Sequence, residues 1–437
     1  MPQSMAFRLP TTRLDAAFDG PQLTSDGGLC WLAEADAALG LCAALAAHIP
    51  EWRRRRGQYA LETLVRQRVF QIACGYEDQN DATTLRTDPL LKLVCGRLPA
   101  AADLASQPTL SRLENAVGWK ACYRLAHALV QLYLRERERD GIPERIVLDL
   151  DGTDDPAHGR QEGVAYHGFY GQYMYHPLLV FDGDTGQLIT AVLRPGTCHA
   201  SRGALAVLKR LVRLLRARWP QIPIEVRGDS GFAVPAVYAY LDAQHIPYTI
   251  AIGRNPRLEA MAAALAEQAT RKRAETGEKV RLFSEGQYQA DTWERERRVV
   301  YKAEALEKGL NLRFVVTTRR DEPEQLYTWY TRRGDRPELC IKDLKDDCFA
   351  DRLSCHRFWA NQFRLLLYSA AYWLLDTIRR WLVRLQVPHL QLGTVRLRLL
   401  KIGGWVRQRL EGVSLHLASS HPGEPLWYLL ATRPSRS

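Results

Sequence analysis

The 437-residue sequence has little of what would place it in a membrane or outside the cell. No apolar run reaches the ~20 residues a membrane span needs. The most apolar window, Leu365 to Leu375, contains Tyr368, Ser369 and Tyr372 and is followed by Asp376, Arg379 and Arg380, so it reads as a buried helix. The opening Met-Pro-Gln-Ser-Met-Ala-Phe-Arg lacks the charged-then-apolar order of a signal peptide. Nine cysteines are scattered, without a CxxC pair or a neighbouring histidine at zinc spacing. That excludes a sequence-readable zinc or disulfide framework and fits reduced thiols in the cytosol. A G-x-x-x-x-G-K-[ST] phosphate loop and a G-x-S-x-G nucleophile elbow are both missing, as are internal repeats and low-complexity tracts. The expectation is a cytoplasmic protein with no membrane partner.

What is there is a well-cored chain with a basic excess. Hydrophobic residues make up 46% and charged residues 25%, and the length suggests two to four domains. A formal charge of +11 suggests a polyanionic partner.

Residues 1–140 read as a helical region. Leu61 to Cys74 and Ala121 to Leu134 carry apolar residues at helical spacing, and Gln107-Pro108-Thr109 starts a further helix. Arg53, Arg54, Arg55 and Arg56 form a run of four; a solvated helix start and a phosphate contact are the two readings. Residues 141–256 change to strands at Arg145 to Asp151, Tyr173 to Phe181, Gln187 to Arg194, Ile224 to Val226 and Tyr248 to Ile252. Asp182-Gly-Asp-Thr-Gly186 is a hairpin turn between the second and third. Helices over Arg202 to Trp219 and Val234 to Ala243 complete a β-β-β-α-β-α-β order, that of the ribonuclease-H-like α/β fold. Residues 257–328 read as a helix and then a small β-rich insertion interrupting that core. Residues 329–437 resume as helices, ending in a basic helical tail over Arg396 to Arg409.

Three acidic residues stand in unlike settings. Asp151 ends the apolar run Ile146-Val147-Leu148-Asp149-Leu150, Asp229 follows Ile224-Glu225-Val226-Arg227-Gly228, and Glu338 lies in a stretch of helical periodicity. Two strand-end aspartates and a helical glutamate suit a divalent-metal phosphoryl-transfer site, because Mg²⁺ takes hard oxygen ligands and paired ions can clamp both oxygens of a displaced phosphodiester. Asp149 shares a strand face with Asp151 and is an alternative first ligand. Each carboxylate taken singly is as well explained by a turn, a cap or a surface ion pair. Asp154 and Asp155 read as solvated turn residues. Lys342 and Lys345 follow Glu338 at helical spacing, and Tyr330 and Arg333 precede it. His158, His167, His176 and His199 are weaker candidates for general bases. Trp293 and Trp329 could stack on a displaced base, with core packing the simpler reading.

These strings carry a resemblance. Leu23-Thr-Ser-Asp-Gly-Gly28, Gly75-Tyr-Glu-Asp-Gln-Asn-Asp81, Leu104-Ala-Ser-Gln-Pro-Thr-Leu-Ser-Arg-Leu-Glu-Asn115, Leu148-Asp-Leu-Asp-Gly-Thr-Asp-Asp155, Arg227-Gly-Asp-Ser-Gly-Phe232, Arg352-Leu-Ser-Cys-His-Arg-Phe358 and Ala360-Asn-Gln-Phe-Arg364 run nearly end to end. The chain resembles bacterial insertion-sequence transposases of the DDE type, in the insertion-sequence thirteen-eighty family. The resemblance implies a ribonuclease-H-like catalytic core, a β insertion before the glutamate and a DNA-binding N-terminal region. It also implies catalytic and metal-binding roles for Asp151, Asp229 and Glu338, with two Mg²⁺ ions for which Mn²⁺ can substitute. Its Y-x2-R-x3-E-x6-K signature falls on Tyr330, Arg333, Glu338 and Lys345, except that four residues separate Arg333 from Glu338 and Pro337 precedes the glutamate. Tyr330, Arg333, Lys342 and Lys345 would contact DNA. The implied partners are double-stranded DNA, as terminal inverted repeats and target, and a second copy on that DNA, in the bacterial nucleoid. The implied activity is metal-dependent strand cleavage and strand transfer. The alternatives are a catalytically inactive repeat-binding copy and a nuclease without strand transfer.

Overall fold

The structure, a computed structural model, describes residues 5–53, 57–139, 141–335 and 337–433. Arg54, Arg55 and Arg56 lie outside the described residues. The chain divides into two compact units, residues 1–121 with 347–349 and 370–437, and residues 122–346 with 350–369. Residues 370–437 thus fall in one unit with residues 1–121, and residues 141–328 all fall in the other. Among the described residues no helix is long and apolar enough to cross a membrane, and the nine cysteines are free thiols.

The second unit is mixed α/β. Its strands are β1 (Ile146–Gly152), β2 (Asp155–Pro156), β3 (Ala165–His167), β4 (Gln172–Tyr175), β5 (Leu178–Asp182), β6 (Leu188–Val192), β7 (Ile224–Gly228), β8 (Tyr248–Ile252), β9 (Val280–Tyr288), β10 (Arg297–Leu306) and β11 (Gly309–Thr317). Its helices are α1 (Ala204–Arg218), α2 (Pro235–Ala243), α3 (Pro256–Thr276), α4 (Pro323–Asp335), α5 (Pro337–Lys342) and α6 (Phe358–Arg384), the last of which runs on into the first unit. Eight strands form one sheet in the order β9-β10-β11-β8-β7-β1-β5-β6. β1, β7 and β8 are parallel, and β5 and β6 are antiparallel additions on the other side of β1. A strand flanked on both edges and covered on both faces is mostly apolar, and Ile146 to Leu150 are all buried, Asp149 being the one charged residue among them. Leu208, Leu211, Val212 and Leu215 form the buried stripe of α1.

Two expectations change here. The strand expected over Tyr173 to Phe181 breaks at His176-Pro177, since proline has no N–H to give a ladder; β4 pairs in a small three-stranded sheet with β2 and β3, while β5 joins the large one. The β-rich insertion is not a separate subdomain. β11 pairs antiparallel with β8, Thr249 opposite Thr317, so β9 to β11 extend the core sheet. Without them β8 would be an open edge with unpaired backbone groups. α3 starts at Pro256 under an Asn255 cap that accepts from Leu258 N at 3.0 Å, and it packs on β9 and β10. α4 packs through Leu326 and Tyr327 against Val300 and Val315.

The β5–β6 turn shows why one of its glycines is needed. A Cβ on Gly183 would lie 2.5 Å from both Asp149 Oδ2 and Arg227 Nη2. Gly183→Ala is therefore expected to destabilise the protein by about 1–3 kcal/mol through overpacking, read as a lowered midpoint in urea unfolding.

The first unit is mainly helical, with Leu29–Leu39, Leu61–Ala73 and Gln107–Ala116 among its helices, but it opens on an antiparallel hairpin of Met5–Arg8 and Arg13–Ala16 rather than on a helix. Its C-terminal part corrects the expected helical tail. Gly404–Arg409 and Gly412–Leu417 are antiparallel strands that build a three-stranded sheet with Leu23–Thr24. Alternating burial of Gly404, Trp405 and Val406 marks the period of two that a helix does not have. The Leu23–Gly28 string lies against this part: Gly27 N and Gly28 N donate to the carbonyls of Ile402 and Leu400 at 2.8 and 3.1 Å. Asp26 takes Lys401 Nζ at 2.8 Å and the Tyr76 hydroxyl at 2.7 Å. Two of the recognised strings thus serve to hold the C-terminal segment in place.

Candidate active site

The two aspartates meet because their strands are neighbours in register. In the parallel β1–β7 pair Asp149 stands opposite Arg227 and Leu150 opposite Gly228. The next residues are Asp151 and Asp229, both half-buried, at the carboxyl ends of adjacent strands. Beyond Asp229 the chain turns at once: its Oδ1 accepts from Gly231 N at 2.8 Å, and Phe232 closes the turn by burying its ring.

Three side chains named from the sequence reach these strand ends. Arg333 Nη2 donates to Asp151 Oδ2 at 2.6 Å and to the Leu150 carbonyl at 2.9 Å. Tyr330 donates its hydroxyl to the Gly228 carbonyl at 3.2 Å. Lys345 Nζ bonds Asp154 Oδ1 at 2.7 Å, and Gln172 Nε2 holds the other oxygen at 2.9 Å. Burial pushes the Asp151 carboxyl up to about 6; Arg333 opposes this, while Asp229 and Asp149 reinforce it. Burial also works upward on Asp154, yet the hydrogen bonds from Lys345 and Gln172 hold it below the ordinary carboxylate range. Asp154 was expected to be a solvated turn residue, and the Asp-x-Thr-Asp-Asp run was the signal that it belongs to this cluster.

Asp149, the alternative first ligand, is committed to an ion pair. It is buried, and both of its oxygens are taken by Arg227, Nε to Oδ1 and Nη2 to Oδ2, each at 2.6 Å. Arg227 also donates from Nη1 to the Trp329 carbonyl at 2.9 Å and lies 4.8 Å from that indole's centroid. The pair ties α4 to the sheet and so sets where Tyr330 and Arg333 can reach. Trp329 and Trp293 are both buried, which settles them as packing residues.

Glu338 stands in the first turn of α5 and is exposed, as is Lys342 at the end of that helix. The helix does begin at Pro337, a favoured first position, so the extra residue before the glutamate falls in the junction between α4 and α5. Asp343–Asp347 then forms a π-helical turn that carries Lys345. Among the described residues no three His, Cys, Asp or Glu side chains converge tightly enough to hold a metal ion. The structure thus brings Asp151 and Asp229 together with Arg333, Tyr330 and the Lys345–Asp154 pair, and leaves Glu338 on the adjoining helix.

The model of a known family, transposase DDE domain group 1, matches residues 8–436. The chain belongs to that family. Two solved structures are similar over much of their length. One is the piggyBac transposase in a synaptic complex with hairpin DNA, at 12% identity, covering 86% of this chain and 80% of that one, with a TM-score of 0.45. The other is the Mos1 transposase in a paired-end complex with the left transposon end, at 13% identity, covering 63% and 79%, with a TM-score of 0.19. Both scores are too low to carry an argument about the site. No curated protein gives a significant sequence match.

Other residues of this DDE-family chain prove to be supports. Asn361 Nδ2 bonds the Tyr175 hydroxyl at 3.1 Å and the Cys355 carbonyl at 2.7 Å, and Gln362 Oε1 accepts from Leu193 N at 2.7 Å, just past the end of β6. His176 points Nδ1 at the Cys198 carbonyl, 2.9 Å away, and His158 and His199 bond Asp351 O and Ser201 Oγ. Arg53, in the first unit, is held by Glu51 and the Tyr59 carbonyl.

Asp155 is the group that patterning missed. It is buried, and among the described residues neither carboxylate oxygen has a hydrogen-bond partner. Burial, with Asp351 and Asp154 nearby, pushes it well above the ordinary range against the pull of Lys345 and Arg364. A carboxyl raised in the folded state stabilises the fold below its unfolded pKa, near 4, and loses that contribution as pH rises through the folded value. Asp155→Asn is therefore expected to gain stability over the wild type progressively from pH 5 to pH 8, checked by urea unfolding at both.

Proposed function

We propose that the chain is a DNA transposase with a ribonuclease-H-like core, of the insertion-sequence thirteen-eighty type, that cuts the ends of its element and joins them to target DNA. The single observation that carries this reading is the pair Asp151 and Asp229 at adjacent parallel strand ends, with Arg333 bound to the first, in a chain of the transposase DDE family.

The donor set fits a hard divalent cation. Both facing groups are carboxylates, and burial, reinforced by Asp229 and Asp149, raises the Asp151 carboxyl, a cost to its ionised form that a bound cation would relieve. Asp151 and Asp229 would hold Mg²⁺, or Mn²⁺ in its place, with Glu338 as the third ligand once α5 presents it and two ions in the full site. Bound there, the metal would supply activation of water or a 3′-hydroxyl and neutralise charge on the phosphodiester. Arg333 keeps Asp151 ionised and aimed. Lys345 orders the loop that follows β1 through Asp154. Tyr330 fixes the end of β7. Lys342, exposed one turn beyond Glu338, is placed to meet a phosphate. Terminal inverted repeats and target DNA are the proposed partners, bound by a pair of copies, with affinity that falls steeply with salt.

The test is a cleavage and joining assay on labelled element ends with and without Mg²⁺, comparing the wild type with Asp229→Ala. Metal-dependent nicking that vanishes in the variant, with joined products, supports the reading. Nicking without joining would make it a nuclease. Binding without nicking by the wild type would make it an inactive repeat-binding copy.

A further inference from the structure

The β3–β4 hairpin carries aromatic side chains that nothing in its unit covers. Phe169 is 86% exposed, Tyr173 65%, Tyr166 56% and Tyr170 36%. Contiguous exposed rings on a soluble protein mark an interaction surface. These rings are not on a free arm. Phe169 packs edge-on to Tyr170 at 5.1 Å between centroids, and Tyr170 to His176 at 5.8 Å. His167 wedges against both, 5.1 Å from Tyr170 and 5.0 Å from His176. His176 in turn lies over the end of β1: a Cβ on Gly152, the residue after Asp151, would sit 2.8 Å from its Nε2. Gln172, on β4, anchors the same hairpin to Asp154. A line of ring contacts therefore runs from the strand end bearing Asp151 to the exposed Phe169, and the charges of Asp154, Asp151 and Asp229 all bear on the Tyr170 hydroxyl.

The position of this patch selects its occupant. A phosphodiester held at Asp151 and Asp229 brings the flanking nucleotides to the hairpin. Phosphates have no use for uncharged rings, but a nucleobase has a flat face that stacks on them in any sequence. Bases inside a duplex have both faces covered, so the base must be unpaired or terminal. We propose that Phe169, supported from beneath by Tyr170, is a positioning residue that stacks on the nucleobase flanking the cleaved phosphate. This rests on the reading of the site as a strand-cleaving centre and names the part of the substrate that the hairpin holds.

The experiment uses an element-end duplex with 2-aminopurine as the base next to the cleavage point. Wild-type binding is expected to change its fluorescence, and Phe169→Ala to lose that change. Cleavage by Phe169→Ala should fall roughly five- to a hundred-fold, the worth of one stacked base, while Phe169→Trp retains it. Thermal unfolding should be unaltered, since the side chain is exposed. The deciding readout is an abasic site at the flanking position, on which wild type and Phe169→Ala should cleave equally. Equal signal and equal rates on intact DNA would overturn the proposal. A shift toward monomer in sedimentation with the fluorescence signal unchanged would also overturn it, making the hairpin a contact between copies. In both cases wild-type cleavage survives, whereas failure of the underlying reading would show as a wild type that cuts nothing.

Discussion

Asp149→Ala is expected to destabilise the unit of residues 122–346 and 350–369 by about 3–5 kcal/mol. The reason is the partner left behind. Arg227 is as buried as Asp149, and its guanidinium spends two of its nitrogens on that carboxylate. Truncating the acid strands a charge in the sheet, leaving the Trp329 carbonyl and ring to meet it. Most domains have a margin of only ~5–15 kcal/mol, so the loss should be visible as a large drop in the urea midpoint. Asp149→Leu combined with Arg227→Met removes both charges and should recover most of the stability, as exchange of buried ion pairs for apolar groups often does. A single variant within about 1 kcal/mol of the wild type would show that the pair does not brace the sheet.

The second large effect concerns activity. Arg333→Ala is expected to lower strand cleavage by roughly 10²–10³-fold, the scale for removing one preorganised charged donor. Burial and two neighbouring aspartates already push the Asp151 carboxyl up, and Arg333 is the group that opposes them. Without it the carboxyl takes its proton at still higher pH, so less of the ionised form exists at neutrality to bind a cation. The acid limb of the pH–rate profile should therefore move toward alkaline pH, and raising the pH should restore part of the rate. Arg333→Lys keeps the charge but not the reach to both Asp151 and Leu150, and it should fall between the two. An unchanged acid limb in Arg333→Ala, whatever the rate, would remove Arg333 from this role.

Much of the site was legible because strand ends announce themselves. Ile146 to Leu150 is an apolar run that can only be an interior strand, and an aspartate at its end has to face the sheet's carboxyl edge. The same holds for Ile224 to Gly228 and Asp229. The register that sets the two side by side was not legible, because pairing between β1 and β7 depends on how α1 returns the chain. Lys345 was expected to share a face with Glu338 and instead bonds Asp154, since the π-helical turn after α5 shifts it out of α-helical phase. Of the exposed aromatic hairpin, only the end of its second strand fell within the segment read as one strand, Tyr173 to Phe181, and residues 165–172 were given no strand.

The sequence by itself determined the order of the main strands and helices in the core, helices such as Leu61–Ala73 and Gln107–Ala116 before it, and the two aspartates on strand ends. All of these follow from local periodicity, which encodes which side of an element is buried. The tertiary structure decided the rest. Asp149 became a brace because Arg227, 78 residues away, lands opposite it. The strands expected of the insertion extend the core sheet by pairing with β8, and the expected helical tail is instead strands that pair with Leu23–Thr24. Edge pairing and ion pairing join groups that no local pattern relates, so only the folded chain can choose among the partners available.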